Sequence, residues 1–332
     1  MKATRPNWLL RLSLLDLLLL LLLLVVEEFA AEAWWLSTLI TYAPQQPLGI
    51  PAVVLLGISI LRREWRAVVP NLAALALFLG FFPGVSIPWH RDTAPAGFPL
   101  RVMTFNLEGL TRTTPTKVAA MAKRENVDVV CLQETNRPGS DSISPDLVRA
   151  FAGWHVASRR EVAIISRYPI ISQRSWPLVV GYRAALAARI AVPGAQVTVM
   201  NVHFIVGVLP ELIRHTSSLP GYLRRSAQVR QQQAAELLDL VRGIDGPLLV
   251  LGDLNTPPRG RVYRELTAKI EDGFRAAGYG TGYTYPARRP LMRIDYVFTS
   301  AGVTAESCRV IPIQASDHLP VVADVRLAEK RQ

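Results

Sequence analysis

Residues 8–26 contain eight consecutive leucines, Leu17 to Leu24, inside a run broken only by Arg11, Ser13 and Asp16. A globular domain has no place for such a stretch on a water-facing surface, and a helix over it is long enough to cross a hydrocarbon core of roughly 30 Å. A cleaved signal sequence is the rival reading. Against it, the apolar run is long and is followed by Glu27, Glu28 and Trp34–Trp35 rather than by a small-residue cleavage site. Asp16 lies within the run, where a charge near a helix end reaches water or Arg11. Two further apolar segments, near 45–61 and 67–88, flank the basic hinge Arg62-Arg63-Glu64-Trp65-Arg66, so residues 1–88 read as a transmembrane anchor of about three helices. The positive-inside rule puts Lys2, Arg5, Arg11 and the 62–66 cluster in the cytoplasm, with Glu27, Glu28 and Glu32 outside. Three crossings make a multi-pass protein whose C-terminal domain is extracytoplasmic. If the short second segment only dips into the bilayer, the side reverses.

The 332-residue chain is 50% hydrophobic and 19% charged, with a mean hydropathy of +0.23; the excess apolarity sits in the anchor. Residues 1–100 hold seven Lys/Arg and six Asp/Glu, which leaves a net charge of +10 beyond them. Such an excess suits a polyanionic partner or an anionic membrane surface, and equally an Arg-rich solubilising surface. Cys131 and Cys308 each fall in an apolar run and read as buried residues rather than as a disulfide framework. Residues 89–100 (WHRDTAPAGFPL) form a linker, and the soluble domain spans 101–328. Strands are predicted near 101–106, 127–133, 162–166, 185–192, 196–203, 247–251, 294–298, 303–313 and 320–327, and helices at 115–125 and 224–242. Thr114 is the expected N-cap of the first helix, with Pro115 at its first position. The mixture is that of a layered α/β domain with substantial sheet.

Polar residues close several of these strands. VMTFN ends in Asn106, VDVVCLQE in Glu134, VTVMNVH in Asn201 and His203, and PLLVLGDLN in Asp253 and Asn255; SDHLP presents Asp317 and His318, and RIDYVF places Asp295 at a strand start. Each alone is an ordinary turn or capping residue. Together they supply carboxylates, carboxamides and two histidines without a Cys/His zinc spacing or a Ser/Cys nucleophile signature. That set suits oxygen-ligated Mg²⁺ and phosphate chemistry, because Mg²⁺ keeps several waters and takes one or two carboxylates, so Glu134 is enough as the strong ligand.

TFN, LQET, NVH, GDLN, RIDYVF and SDHLP, in this order over about residues 100–328, resemble the endonuclease/exonuclease/phosphatase superfamily, which includes deoxyribonuclease I, abasic-site endonucleases, neutral sphingomyelinases and inositol-polyphosphate phosphatases. The N-terminal helices lie outside the resemblance, and in number they resemble those of bacterial membrane-anchored members. The resemblance implies a four-layered α/β sandwich, two packed mixed sheets flanked by helices, with the site at one edge. It implies Glu134 as principal Mg²⁺ ligand, with Asn106 beside it and Asp317 as a further ligand; Mn²⁺ is the substitute ion. Asp253 would orient or deprotonate the attacking water, and Asn255 would hydrogen-bond a phosphoryl oxygen. His318 would contact the phosphate with Asp295 holding its tautomer, and His203 would be a second phosphate contact or the acid for the leaving group. Asn201, Thr284 and Tyr285 are candidate substrate contacts, an ordinary loop role being open for the last two. His155 and His215 read as surface or packing residues.

The expected activity is hydrolysis of a phosphodiester by metal-assisted in-line attack of water. Nucleic acid is the first substrate reading, through Arg224, Arg225, Arg230, Arg259, Arg261, Arg264, Arg288 and Arg289. A phospholipid headgroup or another phosphoester, admitted past an apolar 204–224 insertion, is the second. A non-catalytic membrane scaffold is the alternative from another class.

Overall fold

The computed structural model describes residues 7–88, 96–136, 142–179, 183–205 and 218–328. His215 and most of the 204–224 insertion lie outside these residues. The chain divides into two compact units, Met1–Val85 and Ser86–Gln332.

The first unit holds helices α1 (Trp8–Phe29), α2 (Trp35–Tyr42), α3 (Ile50–Leu61, after a 3₁₀ turn at Gln46–Gly49) and α4 (Trp65–Phe81). Among the described residues α1 alone is long and apolar enough to cross a membrane. The other expected spans come out differently. The second is a bent pair, α2 and the turn with α3, meeting at 84°, and Pro47 and Pro51 mark where its pieces begin. α4 starts two residues early and stops at Phe81, because Pro83 disfavours helix at the residue before it and Gly84 turns with φ 65°. An apolar window registers composition and misses such breaks. Within the unit, Leu20, Ala52, Ala74, Phe78 and Phe82 pack together, and Asn71 Nδ2 donates to Ser59 Oγ at 3.1 Å across α3 and α4. The small side chains of Ala52 and Ala74, fully buried, allow close helix approach.

The second unit carries twelve described strands. β1 (Gly97–Asn106), β2 (Val129–Gln133), β3 (His155–Arg159), β4 (Val162–Ser166), β11 (Val303–Val310) and β12 (Val321–Ala328) form one sheet in the order β11-β12-β1-β2-β4-β3. β5 (Ile170–Pro177), β6 (Ala184–Val192), β7 (Ala195–His203), β8 (Leu248–Asp253), β9 (Glu271–Asp272) and β10 (Asp295–Thr299) form the other, in the order β5-β6-β7-β8-β10-β9. β1 begins inside the expected linker, since Gly97 already pairs with Ala328. Edge strands β3 and β5 were not expected: β5 is exposed along almost its whole length and offers no apolar alternation, and His155 sits exposed at the start of β3.

Alternation in the strands builds three apolar layers. Val102, Cys131, Leu186, Val199, Leu251 and Val325 point between the sheets. Met103, Phe105, Val130 and Leu132 face outward onto α5 (Pro115–Arg124) and α6 (Pro145–Ala150). Met200, Val202, Val250 and Phe298 face outward onto α7 (Leu219–Arg242) and α8 (Gly260–Thr267). The result is the expected pair of mixed sheets flanked by helices. Thr114 caps α5, accepting from Lys117 N–H at 3.4 Å. α7 begins five residues before the expected 224, with Ser218 as its N-cap. Cys131 and Cys308 are buried free thiols, and burial pushes both up.

Candidate active site at one edge of the two sheets

Strand direction decides where the polar residues go. β1 and β2 are parallel, Asn106 opposite Gln133, so Asn106 and Glu134 emerge at the same edge. β7 and β8 are also parallel, with His203 opposite Asp253. β10 runs antiparallel to β8, so its first residue, Asp295, lies opposite Asp253. β12 is antiparallel to β1, which brings His318, three residues before β12, to that edge as well. The sheets meet there: Asn106 Nδ2 donates to Asp253 Oδ2 at 3.0 Å and lies 3.4 Å from Glu134 Oε1. Gly252, φ 148°, lets β8 pair with β7 just before Asp253, because a Cβ there would sit 1.8 Å from Val202 O. Glu134 and Asn255 adopt left-handed backbone, φ 50° and 47°, a conformation that non-glycine residues hold only when their surroundings impose it.

Asp253 is enclosed. Its Oδ1 accepts Asn255 N–H at 2.9 Å, and its Oδ2 stands 3.6 Å from His203 Nε2 and 3.7 Å from His318 Nε2. Burial raises its carboxyl above the usual range, with Asp295 adding to the rise and His318 opposing it. His318 Nδ1 donates to Asp295 Oδ2 at 2.9 Å. Burial disfavours the imidazolium, but the carboxylates of Asp295, Asp253 and Asp317 outweigh it and push His318 up to about 10. Asn255 Nδ2 spends one hydrogen on Phe204 O at 3.1 Å and keeps another. Tyr285 covers His318, ring centroids 4.9 Å apart, and Asp317, half-buried, accepts Ser316 Oγ at 3.2 Å.

Two groups were not anticipated. Arg183 Nη1 lies 2.7 Å from His203 Nδ1 and in close ion-pair contact with Glu161, itself 3.3 Å from the same ring nitrogen. Arg183, which only donates, favours a ring proton on Nε2, while the Glu161 carboxylate, which only accepts, faces the same Nδ1. That buried Nε2 has no hydrogen-bond partner and faces Glu134 Oε1 at 3.8 Å and Asp253. Arg183 and Glu161 precede β6 and β4, strands antiparallel to β7 and β2, so their beginnings share the edge where the expected residues end.

Asn201 and Thr284 do not join the group. Asn201 is 0% exposed, and its Nδ2 donates to Leu132 O and Ala163 O, both at 2.8 Å, across the gap between the sheets, while its Oδ1 accepts from Gln133 at 2.6 Å. Asn201→Ala is expected to cost about 2–4 kcal/mol by removing two buried amide–carbonyl hydrogen bonds and the acceptor of Gln133 Nε2; urea denaturation reads this, and the turnover of the folded fraction should stay near native. Thr284 is buried, holding its loop through Met292, Ile294 and Leu319.

The edge carries the carboxylates of Glu134, Glu161, Asp253, Asp295 and Asp317 against Arg183 and two imidazoles, and buried Asp295 Oδ1 lacks a partner. An acidic, oxygen-rich cluster with an orphaned carboxylate oxygen fits a hard divalent cation. Asp253, Asp295 and His318 have ligand atoms within 4.8 Å of one another. His318, however, is spent on Asp295 as a charged donor, so half-buried Glu134 beside Asn106 is the better cation ligand.

Two packed mixed sheets flanked by helices, with carboxylates and imidazoles gathered at one edge, define a layered α/β class of fold. The sequence model of the Endonuclease/Exonuclease/phosphatase family matches residues 103–318. Similar structures include an endonuclease/exonuclease/phosphatase from Bacteroides vulgatus (19% identity, TM-score 0.53, covering 69% of this chain and 99% of that one). Others are the mannosyl-6-phosphatase Bt3783 of Bacteroides thetaiotaomicron (16%, 0.52, 68% and 99%) and a beta toxin of Staphylococcus aureus (16%, 0.51, 68% and 99%). No curated protein matches the chain by sequence. The chain belongs to the endonuclease/exonuclease/phosphatase family, whose members are hydrolases of phosphoester bonds and typically depend on a divalent metal.

Proposed function

We propose that this protein is a membrane-anchored, Mg²⁺-dependent phosphoesterase that cleaves a phosphodiester, with nucleic acid as the first substrate, by in-line attack of water. The observation that carries the reading is the meeting of Asn106, Asp253, His203 and His318 within 4 Å contacts at one edge, with Glu134 beside them. Glu134, with Asn106 and Asp317, would hold Mg²⁺, which when bound neutralises phosphoryl oxygens. Asp253, its carboxyl raised by burial, takes the proton of the attacking water. The His318 imidazolium and the free Asn255 amide hydrogen bind phosphoryl oxygens as negative charge grows on them, and each such contact contributes on the order of 3 kcal/mol. His203 Nε2–H, aimed by Arg183, donates to the phosphate or to the leaving oxygen.

The +10 charge beyond residue 100 supports a polyanionic substrate, and Arg288 and Arg289 stand exposed on the loop that follows Tyr285. Arg230 leaves that list: it is 1% exposed and bonded to Ser226. A lipid headgroup is the second reading, supported by α1 in the same chain; likeness to a mannosyl-6-phosphatase adds a phosphomonoester to the tests. The anchor is read as multi-pass over 1–88, with 89–100 as linker and the catalytic domain extracytoplasmic. Full-length protein assayed with Mg²⁺ against plasmid DNA, RNA, phospholipid vesicles, a sugar phosphate and a chromogenic phosphodiester is expected to cleave nucleic acid, to stop in EDTA and to weaken steeply with salt. Turnover of none of these would overturn the enzyme reading, and a non-catalytic scaffold would then stand. Turnover of vesicles alone would move the substrate to lipid.

A further inference from the structure

Gln233 is fully buried on α7, beside Ala234 and Leu237, which seat that helix on the sheet of β7 and β8. Its Oε1 accepts Ile205 N–H at 3.0 Å, and its Nε2 donates to Val179 O at 3.1 Å. One turn further along α7, Glu236 Oε2 accepts Val179 N–H at 2.9 Å. A backbone N–H only donates and a carbonyl only accepts, so these partners fix which end of the amide is which. The position needs a side chain with both a donor and an acceptor. Glutamate would set an oxygen against Val179 O, and asparagine is one methylene shorter.

The two backbone groups that Gln233 holds lead to opposite sides of the active edge. Ile205 follows Phe204, whose N–H donates to Asp253 O at 2.9 Å and whose C=O accepts Asn255 Nδ2 at 3.1 Å. His203 comes immediately before. Val179 follows Leu178, whose N–H donates to Arg183 O at 3.1 Å, and Arg183 Nη1 reaches His203 Nδ1 at 2.7 Å. The contacts close a ring that runs from α7 through Ile205 to His203, across to Arg183, and back through Leu178 and Val179 to α7.

We propose that Gln233 is a positioning residue for the phosphoester reaction, holding the His203 and Arg183 segments in register so that His203 Nε2 faces Asp253. This rests on the catalytic reading of His203 and extends it to a residue in the helix layer. Without the amide, Ile205 N–H is released from α7 and Val179 is tied to it through Glu236. A displacement of about 1 Å at a reacting group can cost about a hundredfold in rate.

The test uses the full chain in detergent micelles with Mg²⁺ and a chromogenic phosphodiester. Gln233→Met, which keeps the side chain's length and loses both hydrogen bonds, is expected to lower kcat between about tenfold and a hundredfold, with KM within about twofold of native. In a His203→Ala background the same substitution should cost less than about threefold, because the group it positions is gone. An equal loss in both backgrounds marks a general structural role and overturns the proposal. NMR of the His203 ring nitrogens, assigned with His203→Ala, reads the positioning without turnover. The signals are expected to move in Gln233→Met, and unchanged signals overturn the proposal. If Gln233→Met does not fold, Gln233→Glu keeps the acceptor for Ile205 and removes only the donor to Val179 O, and the same readouts apply. A native chain that turns over none of the substrates above overturns the catalytic reading and this role with it. Native turnover that Gln233→Met leaves unchanged overturns this role alone.

Discussion

Asp253→Asn should lower kcat on a phosphodiester about a thousandfold, the loss typical of removing a positioned general base, while the protein stays folded. The amide keeps the shape of the carboxylate and can still accept Asn255 N–H at the Oδ1 position. What it loses is the negative charge 3.6 and 3.7 Å from the two imidazoles and the capacity to take a proton. Its Nδ2 would also oppose the Asn106 donor that Oδ2 now accepts. Stability should fall by about 1–3 kcal/mol, because the amide leaves a buried donor facing Asn106 and takes a countercharge from His318, although burial works against the native charge. The measurement is kcat with Mg²⁺ alongside thermal unfolding. A variant within tenfold of native turnover would remove Asp253 from the chemistry; one that unfolds would make it a structural residue instead.

The sandwich was legible because its central strands are buried on both faces and read as β-branched runs, and because GDLN and SDHLP stand at their ends. Edge strand β5 was hidden for the opposite reason, since solvent on most of its surface leaves no pattern. Helix ends in the first unit were set by Pro47, Pro51 and Pro83, and an apolar window does not register these. At the site, a polar residue that closes an apolar strand stands out in the sequence. That pattern marks residues on parallel neighbours and not those that open an antiparallel strand. Asp295 was caught through its motif, whereas Glu161 and Arg183, in the same topological position, were not. Asn201 shows the converse: two residues before His203 it shares that strand's face, but it lies deep enough for its amide to be used between the sheets.

Asp295→Asn should move the alkaline limit of activity down by several pH units. In the native protein His318 is held as an imidazolium up to about 10, against about 6.5 when unfolded. Its contribution to stability is therefore complete below about pH 6.5 and fades as pH rises toward 10. The amide removes the carboxylate that raises His318 most, burial regains ground, and the proton leaves nearer the ordinary histidine value. Two readouts follow. At pH 8 the variant should turn over about a hundredfold more slowly, as expected when a charged transition-state contact is lost, with partial recovery near pH 6. Its thermal stability should fall below native at pH 7, and the gap should narrow as pH approaches 10, because by then the native imidazolium is also losing its proton. An alkaline limit left in place by Asp295→Asn would mean that the charge on His318 does not act on the phosphate. A stability gap that widened with pH would contradict the sign of the linkage.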